Sequence, residues 1–301
     1  MDNGKQILLR QNQRGNIDKL LAQRLLYSQG KDLQYLLIII TVVVPVIISF
    51  VTNFTDFNLK ESMWIYVMYF FSALLIEKII EIVIKRKKKT AASIQEKFDI
   101  DVYKIDENQT LNTVFVDEDV VRKFSKRDQK NSKKVEKVEN WYSVEIERIN
   151  TNLAILFCQR MNITYDQNIK KKYNLFLLIV AATTFCILFY VSLYMNFSLE
   201  KFIVQVLLPS IPIFNFAYKE IRINLESVDN LQKLRQIIET KLNKVKLADN
   251  INPKDLREIQ DRIYLNRILS PLIPDFIYKV MWTKLEDRMN YSVEKRIENL
   301  R

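Results

Sequence analysis

The 301-residue chain contains no histidine. That absence removes Ser-His-Asp and Cys-His catalysis, His-ligated zinc, haem on a proximal His, and His-based pH switching. The three glycines, Gly4, Gly15 and Gly30, all fall in the first tenth of the chain. Beyond them neither the dinucleotide-binding nor the P-loop motif can form, because both need residues without a Cβ where backbone approaches phosphate. Two cysteines, Cys158 and Cys186, are too few for a four-Cys zinc site or an iron–sulfur cluster. They lie in different environments, and a cytoplasmic setting disfavours a disulfide between them. So few glycines, with six prolines, also leave an all-β architecture without its turns. The chain reads as mostly α, and no secretory signal peptide is expected from residues 1–33.

Charge and long apolar runs are plentiful. Lys and Arg number 46 against 35 Asp and Glu, a net charge of +11, and 49% of residues are hydrophobic. Residues 34–54 hold no charge and are long enough to cross a hydrocarbon core of about 30 Å. Residues 63–84 form a second run with charges only in its last turns, and 175–197 a third that is uncharged. Residues 202–218 are a shorter fourth, broken by Pro209 and Pro212. The connections 55–62 and 198–201 are short, so the runs pair as two antiparallel hairpins. Lys and Arg number six in residues 1–33, twenty in 85–174 and seventeen in 219–301, but one in each hairpin loop, Lys60 and Lys201. The positive-inside rule therefore places both termini and the middle segment in the cytoplasm, with lipid as a partner. The clusters Lys85–Lys89 and Lys170–Lys172 are expected to contact lipid headgroups.

The expected architecture is a mainly α membrane protein. Residues 1–33 form a cytoplasmic N-terminal helix, followed by spans 34–54 and 63–84. Residues 85–174 form a cytoplasmic middle segment, followed by spans 175–197 and 202–218. Residues 219–301 add C-terminal helices, and the three cytoplasmic parts build one composite domain. Within it, Thr90 is expected to cap a short helix over 90–98, residues 100–105 alternate like a strand, and 117–130 and 143–161 are helical. Residues 131–140 are charge-dense and expected to be mobile. Asn252 caps a helix over 253–269, with Pro253 at its first position, and a last helix covers 275–299. Apolar residues at Ile221, Leu225, Val228, Leu231, Leu234, Ile238, Leu242 and Val245 form a helical stripe, for either an intramolecular bundle or an oligomer interface.

Candidate chemistry is sparse. Arg160 suits phosphate through its planar fork, Asn162 a base edge, and Tyr165 or Trp141 base stacking. The alternative is structural, a buried Arg160–Asp166 ion pair with Asn162 at a turn, and residue chemistry alone favours it. Glu77 and Glu81 share a helix face and suit a pore ring or, preferably, interfacial pairing of Glu81 with Lys78 and Lys85. Thr183, Thr184, Cys186, Ser192, Gln205, Ser210 and Asn215 suit a polar path or bonds between helices. The acid groups Asp99/Asp101, Asp106/Glu107 and Asp117/Glu118/Asp119 have no distinctive metal spacing, so no catalytic residue, metal or cofactor is assigned.

Five stretches, in this order and placement, resemble the SMODS-associated four-transmembrane effectors of bacterial cyclic-oligonucleotide anti-phage systems. They are Ala22-Gln23-Arg24 with Tyr27-Ser28; Ala91 to Asp99; Trp141-Tyr142; Cys158-Gln159-Arg160 with Asn162, Tyr165 and Asp166; and Gln260-Asp261, Ile263-Tyr264 and Arg267 with Pro271, Pro274-Asp275 and Tyr278. The chain departs at Glu107-Asn108, where the family has an aromatic before the Asn. The resemblance implies an effector rather than an enzyme. Its cytoplasmic domain would bind a cyclic di- or trinucleotide made by a partner nucleotidyltransferase, with no DNA or RNA duplex involved. It would assemble as a homo-oligomer and permeabilise the inner membrane of a phage-infected cell. Arg160, Asn162, Gln95, Trp141, Arg24, Gln260, Tyr264 and Arg267 form the pool expected to contain the ligand site. The competing readings are a constitutive channel or transporter, a membrane-anchored nucleotide-processing enzyme, and a scaffold for a soluble partner.

Overall fold

In the computed structural model, residues 3–54, 63–111, 114–246 and 251–299 are described. The hairpin loop carrying Lys60 lies outside them, as does the side chain of Gln205. Eleven α-helices follow in order among the described residues: α1 (Lys5–Gln11), α2 (Arg14–Ile38), α3 (Val44–Phe54), α4 (Met63–Tyr103), α5 (Glu118–Ser125), α6 (Ser132–Glu136), α7 (Thr151–Tyr194), α8 (Leu199–Lys201), α9 (Leu208–Lys244), α10 (Pro253–Leu269) and α11 (Asp275–Asn299). The extended pairing among them is a single antiparallel bridge between Asn3 and Asn150.

Between Pro45 and Pro209 the sequence has neither Gly nor Pro. Within that interval α4 and α7 run for 41 and 44 residues, about 60 Å each. Each is one rod through an apolar half and a polar half. The separate helix expected from Thr90 is therefore absent: Thr90 lies inside α4, its Oγ1 donating back to Arg86 O at 3.1 Å. The strand expected over 100–105 is absent too. The helical period already buries Ile94, Phe98 and Val102 at steps of four, so the local alternation is incidental. Charge-dense 131–140 contains the short α6, capped by Asn131.

Prolines act where they do occur. A π-helical turn over Ile39–Val43 precedes Pro45, and another over Phe202–Leu207 precedes Pro209. Proline lacks the N–H of the regular ladder and crowds the carbonyl one turn back, and a π turn accommodates both. The Tyr69 hydroxyl of α4 donates to Ile40 O in the first of these turns, at 2.5 Å. Without glycine, helix ends use other residues in the left-handed region. Asn196 (φ 50°) closes α7, with its N–H on Leu193 O and that of Phe197 on Ser192 O, both at 3.1 Å. Lys104 (φ 58°) ends α4 at the steric cost of its Cβ.

α2 packs along α4, and α7 along α9. The main core draws on α1, α2, α4, α7, α9, α10 and α11, with Leu20, Phe98, Phe157, Ile238 and Leu256 fully enclosed. Leu231, Leu234, Ile238 and Leu242 of the α9 stripe lie in this core, so that half of the stripe serves the intramolecular bundle. Toward the apolar end the stripe fails: Leu225 is exposed and the polar Asn224 and Ser227 are buried instead. Gly4 is where a missing side chain matters most, since a Cβ there would come within 1.9 Å of Ile146 O.

The apolar halves are not buried. On α4, Trp64, Phe70, Phe71, Leu75 and Ile79 are all exposed, as are Leu178, Ile187, Tyr190 and Leu193 on α7. So much contiguous apolar surface marks a bilayer-facing region. Two described stretches, Arg14–Ile48 and Thr151–Tyr194, are long and apolar enough to cross a membrane.

Candidate functional site

The polar half of the bundle is organised around α10. Its residues Arg257, Gln260, Tyr264 and Arg267 recur at steps of three and four, so they form one stripe. They face Ser93, Glu96 and Asp99, a matching stripe on α4. The Tyr264 hydroxyl is 2.8 Å from Ser93 Oγ. Gln260 Nε2 donates to Glu96 Oε2 at 2.8 Å and to Asp99 Oδ2 at 2.9 Å. Arg267 donates to Asp99 at 2.6 Å, and Arg257 to Glu96 at 2.5 Å. On the α7 side, Gln159 Nε2 donates to Leu256 O at 2.8 Å. Behind the carboxylates, Tyr142 donates to Asp99 Oδ1 at 2.9 Å and accepts from Tyr103 at 2.6 Å. Asn162 Nδ2 reaches the Tyr142 oxygen at 3.2 Å.

Two carboxylates thus face two guanidiniums in the interior. Burial raises the Glu96 carboxyl above its usual range, helped by Asp99 and opposed by Arg257 and Arg267. Burial likewise raises the Tyr103 and Tyr142 phenols, which stay protonated as donors, and the Cys158 thiol, which is therefore a poor nucleophile. Asp99 has three donors and no freedom to bind a metal. No cluster of three or more metal-ligating side chains occurs among the described residues.

A second buried cluster lies below the apolar half. Lys170, expected at the lipid surface, is instead enclosed: its ammonium donates to Asp166 at 2.5 Å, Ser270 Oγ at 2.6 Å and Ser227 Oγ at 2.8 Å. Its charge is disfavoured there by burial, partly offset by Asp166. Lys88 also turns inward, to Ser270 O at 2.8 Å, and burial pulls it down to about 8. Lys85, Arg86, Lys171 and Lys172 remain exposed, as expected. Both exceptions arise because a helix entering a bundle presents only part of its circumference outward. Nearby, burial pushes Glu220 up to about 7, against the Tyr173 hydroxyl, Lys219, Lys88 and Gln34.

The eight residues of the sequence-based pool do not converge. Gln260, Tyr264 and Arg267 share the central network, and Asn162 touches its edge. Arg160 lies elsewhere: it pairs with Glu239 at 2.7 Å and donates to Ser292 at 3.1 Å, while Glu239 also holds Arg296. The Arg160–Asp166 pair considered from sequence therefore does not form; Asp166 takes Lys170. Asn162 is not a turn residue but lies inside α7. Trp141 is half-buried against the main core, Gln95 is half-buried on α4, and Arg24 is exposed on α2. Glu81 pairs with Lys78 at 3.3 Å as expected, but its second partner is Lys219 of α9 at 2.6 Å rather than Lys85. Thr183 and Cys186 face outward, and the Ser210 hydroxyl returns to Leu207 O at 2.8 Å, so these three form no internal polar path. Sequence reasoning did not single out Glu96, Gln159 or Arg257. The signal was present, as polar residues at three- and four-residue spacing on helices with an apolar periodic face.

The continuous half-apolar rods and the enclosed polar network define a helical membrane protein with a composite polar domain. The chain belongs to the SMODS-associating 4TM effector domain family, whose model matches residues 5–296. It is similar to a probable CBASS effector molecule from Bacillus cereus (strain VD146), 26% identical over 295 residues, covering 94% of this chain and 95% of that protein. No solved structure matches it.

Proposed function

We propose that this chain is the membrane effector of a bacterial cyclic-oligonucleotide anti-phage system. Both termini and residues 85–174 face the cytoplasm, and the spans are 34–54, 63–84, 175–197 and 202–218. The cytoplasmic domain binds a cyclic di- or trinucleotide, and the chain oligomerises and permeabilises the membrane without catalysing a reaction. Family membership and the described relative support the effector role.

The observation that carries the mechanism is helix continuity. α4 and α7 each join a polar-domain stretch to an apolar one with no hinge, so movement at the network reaches the membrane through rigid rods. A phosphodiester offers Arg257 and Arg267 the same paired acceptors as Glu96 and Asp99. Exchange of carboxylate for phosphate would loosen α10 from α4. Only a ligand that binds the loosened or assembled state more tightly can shift the population this way.

The test is dye efflux from proteoliposomes with a panel of cyclic di- and trinucleotides. Efflux triggered by one nucleotide, and lost in Arg257→Lys, which keeps the charge but lacks the planar fork, is the expected result. A parental melting temperature in that variant separates lost ligand recognition from unfolding. Leak with every nucleotide or none would identify a constitutive channel. Nucleotide binding by calorimetry without leak would leave an anchored enzyme or a scaffold.

A further inference from the structure

The connection between α10 and α11 is a Pro271-Leu272-Ile273-Pro274 elbow, and its position relative to the apolar run is fixed by five contacts. Ile273 and Ile277 are buried with Tyr173 and Leu177, the latter already inside the uncharged run 175–197. The Phe276 ring meets Phe176 edge-on, with centroids 5.0 Å apart. On α2, Gly30 admits Leu272 so closely that a Cβ would stand 2.9 Å from its Cδ1. Lys31 binds Asp275 and lies 4.6 Å over the Tyr278 ring. Lys88 of α4 donates to Ser270 O at 2.8 Å. The elbow is therefore docked at the level where helices pass from the polar to the apolar half.

Its outer surface is largely apolar, with the exposed Asp275 carboxylate held by Lys31. Leu265 and Leu269 are four apart on the last turns of α10, and Phe276 and Val280 four apart on the first turns of α11. All four are exposed, Leu269 and Val280 most strongly, at 67% and 72%. The exposed cations Lys171, Lys172, Lys85, Arg86 and Lys279 flank the same level. Apolar side chains beside basic ones suit the headgroup layer of an anionic bilayer.

We infer that the 269–280 elbow is an interfacial membrane element, with Leu269, Phe276 and Val280 seated in the cytoplasmic-leaflet headgroup layer. Lipid covers this face because it continues the lipid-facing surface that begins at Phe176. The inference rests on the membrane-spanning reading above. It makes the bilayer a direct partner of α10, the helix that carries Gln260, Tyr264 and Arg267, and supplies a second route between network and membrane.

The test uses the full chain in vesicles of phosphatidylethanolamine and phosphatidylglycerol. In a Cys186→Ala background, nitroxide labels are placed singly at Leu269→Cys, Val280→Cys, Ile187→Cys within the third span and Glu258→Cys on the exposed side of α10. Collision with oxygen is compared with collision with a water-soluble nickel chelate. Labels at 269 and 280 are expected to favour oxygen several-fold over the label at 258, though less than the label at 187, whatever the protein-to-lipid ratio. If 187 is in lipid but 269 and 280 match 258, the elbow is in water and the inference fails. If both reagents are excluded at 269 and 280, with broadening between labels, a second copy covers the face and the inference also fails. A water-exposed label at 187 would overturn the membrane-spanning reading itself.

Discussion

The molecule buries charge in two places, and by different means. Between α4 and α10, Glu96 and Asp99 are matched by Arg257 and Arg267, and every carboxylate oxygen has a donor. Below the apolar half, the Lys170 ammonium has one carboxylate and two hydroxyls, with Lys88 and Glu220 nearby. The first cluster ties α4 to α10 through ionic hydrogen bonds, with Asp261 a further partner of Arg257 at 2.7 Å. The second is held largely by neutral groups and contains side chains that titrate close to neutral pH. The second is therefore the more sensitive of the two to pH near neutrality.

The sharpest break in that contrast is Asp99→Ala. It leaves Arg267, Gln260 and Tyr142 without their common acceptor in the interior, and should cost about 3–5 kcal/mol of stability, as breaking a buried pair does. Chemical denaturation of the detergent-solubilised protein measures it. A wild-type midpoint in that variant would mean that water, not Asp99, satisfies these donors. Lys170→Met should cost less, about 1–2 kcal/mol, because the methionine is apolar and the Asp166 left behind is partly exposed. A loss equal to that of Asp99→Ala would erase the difference drawn between the clusters.

Glu220→Gln sharpens the comparison through pH. Burial lifts the Glu220 carboxyl from about 4.5 to about 7, so the folded chain holds the proton more tightly than the unfolded chain. The associated stability is complete below the unfolded value and is lost as pH rises through 7. Lys88, at about 8, stays charged across that window and adds no slope below 7. The glutamine variant should therefore come close to the parent at pH 4 and exceed it by about 1–3 kcal/mol at pH 7. Thermal unfolding at the two pH values reads the difference, and a gain at pH 4 alone would reverse the sign. The smallest effect is expected outside both clusters. Lys104→Gly relieves the left-handed strain at the end of α4 and should stabilise by about 0.5–1 kcal/mol in the same melts.

Much of the helical layout was legible. The Asn252 cap with Pro253 behind it, and the helix limits at 269 and 275, follow from Pro, Asn and periodicity alone. The strand over 100–105 was misread because six alternating residues cannot be distinguished from a helical face when burial is unknown. The Thr90 cap was misread because threonine inside a helix can satisfy itself on the carbonyl four residues back. Of the candidate site, Gln260, Tyr264 and Arg267 entered through the family resemblance, as neighbours on the helix expected over 253–269. Arg160 was not separable from them, because its partner Glu239 is 79 residues away.

By itself, the sequence determined composition-level chemistry and segment character: no histidine, no phosphate loop, long uncharged runs and a stretch from 46 to 208 without glycine or proline. These are local properties, set by side-chain type and by the absence of residues that break a helix. Tertiary structure alone decided which charges are buried and with whom. Glu96 meets Arg257, Arg160 meets Glu239, and Lys170 leaves its basic neighbours for Ser227 and Ser270. The energy of a buried charge depends on the partners brought to it from distant helices, and no local pattern specifies those.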